Sequence, residues 1–189
     1  MNNNVSKDIV SIDKKQLYDQ ITFSRKLLER ITFCLHYAWA IPSEKAINQI
    51  VKFIGTDKVI EIGAGLGLWA YLLSIENIDI IATDDESWKL PFYKFYNVIT
   101  MDYATALKQY ADRNVLLTIW PVLDGKISDD MLNKFAGNKL IYIGEPEGDA
   151  TGSAEFFRLL KEHWKLIQIN DIPIHSGMFD KMYLYEKLK

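Results

Sequence analysis

One cysteine, three histidines and five prolines are all that this chain of 189 residues carries of the types that mark disulfide frameworks, metal clusters and turn-rich folds. Cys34 stands alone, so no intrachain disulfide and no cysteine-based metal cluster is available. Its neighbours Ile31, Phe33 and Leu35 make it a packed thiol. His36, His163 and His175 form no His-x-x-x-His pair or facial set, which argues against a catalytic metal. There is no G-x-S-x-G elbow and no Gly-Lys-Ser/Thr phosphate loop. No apolar run approaches the roughly 20 residues of a membrane span. Met1–Ser6 lacks a basic-then-apolar start, so the sequence predicts a cytoplasmic protein with no membrane partner. The net charge of −3, from 22 basic and 25 acidic side chains, gives no bulk pull toward nucleic acid or acidic lipid.

What remains is an ordinary globular composition, 49% hydrophobic and 25% charged, at a length that suits one domain with an added arm. Residues 1 to about 12 are polar and read as frayed. From Lys14 to about Tyr37, Leu17, Ile21, Leu28, Ile31 and Leu35 recur at helical spacings, which predicts an amphipathic helix packed on another element. Pro42 breaks it, Ser43 caps a second helix through Ile54, and Gly55 stops that one. Residues 1–55 therefore read as a helical arm on a single unit spanning 56–189. In that unit short apolar runs (Lys58–Ile62, Ile78–Thr83, Asn97–Met101, Asn114–Trp120, Lys139–Ile143) alternate with helical stretches. That rhythm predicts an α/β fold with a mostly parallel sheet covered on both faces. Lys165–Ile172 and Lys181–Glu186 are joined by a loop alone, which predicts an antiparallel pair at the end of the sheet.

The informative stretch is Val59-Ile60-Glu61-Ile62-Gly63-Ala64-Gly65-Leu66-Gly67-Leu68-Trp69, a strand running through a glycine turn into a helix. Such a turn lets the backbone approach a ligand at a helix N-terminus. A dinucleotide fingerprint requires a third glycine at position 68, which is Leu, and Glu61 opposes a pyrophosphate while suiting a cationic amino-acid moiety. Thr83-Asp84-Asp85 ends the next apolar run, and a carboxylate there can accept both hydroxyls of a ribose. Asp102 ends the run after that, in reach of an adenine amino group. Together these predict a ligand that carries a nucleoside.

These residues resemble the class I S-adenosylmethionine-dependent methyltransferases, from Val59 to the C-terminus. The resemblance implies a Rossmann-like seven-stranded sheet with its last strand antiparallel, and S-adenosylmethionine as cofactor. It implies that Glu61, Gly63, Gly65 and Gly67 hold the methionine part, Asp84 the ribose and Asp102 the adenine side. Tyr37-Ala38-Trp39-Ala40-Ile41-Pro42, Asp112–Pro121 and Tyr142-Ile143-Gly144-Glu145 further resemble an uncharacterised methyltransferase-like family. Gly148-Asp149-Ala150-Thr151-Gly152 departs from that family's Gly-Gly-Cys-Thr-Gly pattern, and Phe179 stands where a histidine is expected. No substrate comes with this resemblance.

The segment after the fourth strand is where class I enzymes present groups to the acceptor. Ile119-Trp120-Pro121-Val122 lacks the amide or carboxylate that orients an exocyclic amine, so nucleic acid is a disfavoured acceptor. Trp120 is read as an aromatic wall for an acceptor or for the sulfonium, and Glu145 as the best-placed general base or substrate contact. Tyr37 and Trp39 are read as a lid over the cofactor. The expected activity is methyl transfer to a small molecule or an exposed protein group. The alternative is a binding or regulatory module that keeps the fold without the chemistry, with the aromatic arm closing the site or pairing two copies into a homodimer.

Overall fold

The computed structural model describes residues 14–88, 93–123 and 126–189. The expected frayed segment at residues 1 to about 12 lies outside the described residues. Helix α1 (Lys14–His36) leads into α2 (Glu44–Ile54), followed by β1 (Val59–Ile62), α3 (Leu68–Ile75), β2 (Ile80–Asp84) and β3 (Val98–Thr100). Then come α4 (Tyr103–Gln109), β4 (Val115–Ile119), α5 (Lys126–Lys134), β5 (Lys139–Gly144), α6 (Ala154–His163), β6 (Trp164–Asp171) and β7 (Lys181–Lys187). The seven strands form one sheet in the order β3-β2-β1-β4-β5-β7-β6. Only β7 runs antiparallel, inserted between β5 and β6.

The continuous apolar runs are explained by burial on both faces. Val59 and Leu117 point into a core shared with Ile50, Ile54, Trp69 and Leu73 of α2 and α3. Their neighbours Ile60 and Leu116 point the other way, against Leu107, Met131, Phe156 and Leu160 of α4, α5 and α6. Period-two alternation thus places one layer of helices on each side of the sheet. Side-chain caps start three helices: Ser43 accepts from the Ala46 N–H, as expected, Asp102 from those of Ala104 and Thr105, and Ser153 from that of Phe156.

The arm departs from the expected packing. α1 reaches the domain through its C-terminal end, where Cys34 is buried, whereas Ile21, Leu28 and Ile31 of its apolar stripe are exposed. The stripe and the packed face lie on different sides of the helix, because Arg30, Phe33, Cys34 and Tyr37 recur three, four and seven residues apart on a face of their own. No helix among the described residues is long and apolar enough to cross a membrane.

Strand order sets the position of the site. The chain moves outward from β1 through β2 to β3 and then returns to β4 on the other side of β1. The loops leaving β1 and β4 therefore diverge, and the crevice between them at the carboxyl ends is where an open α/β sheet takes its ligand.

Candidate functional site

The loop after β1 is held by the neighbouring strand. The N–H groups of Gly63 and Ala64 both donate to the Thr83 carbonyl at 3.0 Å, and Gly67 N–H closes the turn on Ala64 O at 2.8 Å. Gly63, Gly65 and Gly67 all have positive φ, at 74, 54 and 76°. The three differ in what surrounds them. A Cβ on Gly67 would lie 2.7 Å from Val98 Cγ2 and 2.9 Å from Tyr96 Cβ, so that glycine serves packing. A Cβ on Gly63 or Gly65 would meet nothing within 4 Å, so those two leave backbone bare toward open space.

That space is a cavity of about 490 Å³, a size suited to a small-molecule ligand. Glu61, the loop glycines Gly63 and Gly65, Asp84 and Asp85 line it, with Met101 and Tyr103. Tyr37, Trp39, Trp88, Trp120 and the Pro121–Leu123 segment also belong to its wall. The cavity thus joins the arm, the glycine loop and the ends of β2 and β4.

Glu61 is almost fully buried, and its Oε2 has no hydrogen-bond partner. Burial pushes the carboxyl up to about 8, helped by the nearby Asp84 charge and opposed by the Ala70 N–H at the start of α3. A buried acid with an unused oxygen facing a cavity is prepared for a cationic partner. Asp84 Oδ2 accepts from Gly65 N–H at 2.8 Å and Oδ1 from Glu86 N–H at 2.7 Å. This leaves each oxygen a further lone pair for a hydroxyl donor. Asp85 is exposed, and its Oδ1 accepts from Ser87 N–H at 2.9 Å.

Trp120 has φ of 53°, a left-handed conformation that costs a bulky residue on the order of 1–3 kcal/mol. The surroundings hold it there. Its Nε1–H donates to Asp180 Oδ1 at 2.8 Å, and its ring stacks on Trp39 with centroids 5.2 Å apart and planes 20° apart. The Arg30 guanidinium lies 4.9 Å from the Trp120 ring and 5.6 Å from that of Trp39. Trp88 meets Trp39 edge-on at 5.8 Å, and Tyr37 stacks on Phe95 at 6.0 Å. Asp180 is buried, and desolvation first, then the Glu145 charge, push its carboxyl up to about 6 against the pull of Trp120 and Arg30.

The structure brings Glu61, Gly63, Gly65, Asp84, Tyr37, Trp39 and Trp120 together around the cavity. Asp102, Glu145 and Gly67 stand apart from that group and do not line the cavity. The Asp102 carboxylate is occupied as the cap of α4: Oδ1 accepts from the N–H groups of Ala104 and Thr105 at 3.0 Å, and Oδ2 from the Thr105 hydroxyl at 2.7 Å. It does not line the cavity; Met101 and Tyr103 on either side of it do. Glu145 is buried away from the cavity wall. Its Oε2 accepts from Ala150 N–H at 3.0 Å and its Oε1 from Phe179 N–H at 3.1 Å, so it joins two loops and has no oxygen aimed at an acceptor. Among the described residues, no group of three His, Cys, Asp or Glu side chains is placed to hold a metal ion.

Sequence reasoning missed Arg30. The one signal for it was the Arg30-Phe33-Cys34-Tyr37 spacing, which gives the arm a second face beside the apolar stripe. No motif in the sequence marks Asp180.

The fold is that of the class I methyltransferases. The magnesium protoporphyrin IX methyltransferase of Synechocystis, solved with S-adenosylmethionine bound, superposes with a TM-score of 0.52 at 10% identity, over 95% of this chain and 99% of that one. The methyltransferase domain of the bacterial protein CtHen1 superposes with a TM-score of 0.53 at 11% identity, over 75% of this chain and 95% of that one. No protein-family profile and no curated relative matches the sequence.

Proposed function

We propose that the chain is an S-adenosylmethionine-dependent methyltransferase acting on a small-molecule or exposed protein acceptor. The observation that carries this reading is the buried Glu61 with its unpaired oxygen, set beside the open glycines Gly63 and Gly65 and the Asp84 carboxylate on one cavity wall. Those residues fit the cofactor by their chemistry. Glu61 suits its ammonium group, Asp84 its ribose hydroxyls, the bare backbone at Gly63 and Gly65 its methionine part, and Met101 and Tyr103 the base. When bound, the cofactor supplies an activated methyl group on sulfur. The chain's part is to hold the acceptor in line, exclude water and keep the cation in a carboxylate-lined, aromatic-walled cavity.

Titration calorimetry tests the reading directly. Micromolar binding of S-adenosylmethionine and S-adenosylhomocysteine, without binding of NADH, is expected; binding of NADH alone would overturn it. One observation favours a second reading, a module that binds the cofactor without transferring the methyl group. The buried acids nearest Trp120, namely Glu145 and Asp180, are engaged in structural hydrogen bonds. Labelled-methyl transfer to any component of a host extract, lost in Asp84→Ala, excludes that second reading.

A further inference from the structure

The indole part of the cavity lining is built to a fixed orientation. Trp120 is held in a left-handed backbone conformation, its N–H is bound to Asp180, its ring is stacked on Trp39, and Arg30 lies against both rings. Arg30 and Asp180 do not line the cavity, while Trp39 and Trp120 do, so the charged pair supports the indoles from behind. A flat, rigid aromatic surface on one side of a ligand cavity recognises a flat ring by stacking.

Proton chemistry narrows the ring further. The buried acids here have partners or a place in the strand: Asp180 accepts from Trp120, Glu145 accepts from two backbone N–H groups, and Glu61 belongs to β1, just before the glycine loop. Methyl transfer to a hydroxyl or a protonated amine releases a proton and is helped by a general base that takes it. Transfer to a ring nitrogen with a free lone pair releases none.

Resting on the methyltransferase reading above, we propose that the acceptor is a planar heteroaromatic base that stacks on an outer face of the Trp120–Trp39 pair and takes the methyl group on a ring nitrogen. The nitrogen lone pair forms the new N–CH3 bond as the S–CH3 bond breaks, and that bonding pair stays on sulfur as a neutral thioether. The positive charge passes from sulfur to the ring, and no proton is lost. The charge remains where it is favoured, because the charged groups lining the cavity among the described residues are the carboxylates Glu61, Asp84 and Asp85. Arg30 and Asp180 are positioning residues for Trp120 and Trp39.

The test uses the full chain with quinoline and isoquinoline as probes, and 2-naphthol and cyclohexylamine as comparators. Binding is read from tryptophan fluorescence in the presence of S-adenosylhomocysteine, and transfer from mass spectrometry with S-adenosylmethionine. Saturable quenching by both heterocycles and formation of the N-methyl cation are expected, with no product from cyclohexylamine. Trp120→Ala and, as an independent variant, Trp39→Leu should weaken ring binding by about 10-fold or more, measured on protein saturated with S-adenosylhomocysteine. Asp180→Asn, whose amide oxygen still accepts from Trp120, should retain ring binding that Asp180→Leu loses. Methylation of the naphthol oxygen in place of the ring nitrogen, ring binding without transfer, or no saturable ring binding by protein that does bind S-adenosylhomocysteine would each overturn the proposal. A chain that binds neither S-adenosyl compound overturns the cofactor reading and this proposal with it.

Discussion

The backbone N–H of Gly65 donates to Oδ2 of Asp84 at 2.8 Å, which ties the glycine loop to the end of the neighbouring strand. One carboxylate therefore shapes the loop and faces the ligand. Asp84→Ala is expected to weaken S-adenosylmethionine binding by about 10–100-fold, the usual effect of losing hydrogen bonds to a charged group. Some thermal stability should go with it, since Gly65 and Glu86 both lose an acceptor. Asp85→Ala, which removes an acceptor only from Ser87 N–H, should stay within a few-fold of the parent. Calorimetry and melting curves on the two variants check this, and a larger effect at Asp85 would move the ribose contact one residue along.

Glu61 makes the ligand-free protein sensitive to pH. Its carboxyl is pushed up to about 8 by burial, from an unfolded value of 4.5. The folded chain therefore holds a proton that the unfolded chain gives up, and stability is fully present below about 4.5 and falls as pH rises toward 8. Glu61→Gln should flatten that part of the stability profile, measured by denaturation between pH 5 and 8. If a cationic group binds there, Glu61 ionises on binding. Calorimetry at pH 7 should then show a released proton, seen as an enthalpy that depends on the buffer, and Glu61→Gln should lose it.

Gly65 and Gly67 are two residues apart and should fail differently. A side chain at Gly65 projects into open space, so Gly65→Val is expected to abolish cofactor binding while the fold survives, with the strain of a β-branched residue at φ 54° as its main structural cost. At Gly67 a Cβ would press on Val98 and Tyr96, so Gly67→Ala should lower the melting temperature more than Gly65→Ala does. Circular dichroism melts with parallel binding assays separate the two outcomes.

Asp102 should behave as a helix cap. Asp102→Ala is expected to lower the melting temperature, as cap removals do, and to leave S-adenosylmethionine affinity unchanged. The surrounding N–H groups, with that of Thr105 first, hold its carboxyl below the usual range. A loss of affinity larger than the loss of stability would restore it to the adenine side.

The contrast between Asp84 and Asp102 shows what a sequence reveals. The strands were legible because runs such as Val115–Ile119 are apolar at every position but Thr118, and burial on both faces favours that. The glycine loop was legible because its spacing has few other uses. Two acids at two strand ends look alike in sequence, and their roles are set by the next few residues. Asp102 is followed at once by a helix whose free N–H groups capture it, while Asp84 is followed by a turn in which Glu86 has positive φ and leaves the carboxylate on the cavity wall. The Ala104-Thr105 start of α4 was the available signal. Arg30 and Asp180 act across 150 residues of chain through Trp120, and no local pattern encodes that meeting.

Glu145 offers the clearest separation between a chemical and a structural role. A general base would show itself in the pH dependence of turnover, and neither alanine nor glutamine would replace it. The carboxylate in the structure instead accepts the N–H groups of Ala150 and Phe179, so Glu145→Ala leaves two partly buried donors without that acceptor. A loss of about 2 kcal/mol is expected from that change. Glu145→Gln keeps one acceptor oxygen and should recover part of the loss, with cofactor affinity near that of the parent. The pH profile of any transfer activity should keep its shape in Glu145→Gln. If activity disappears in Glu145→Gln while the melting temperature holds, the carboxylate does chemistry, and the two loops it joins are arranged to aim it.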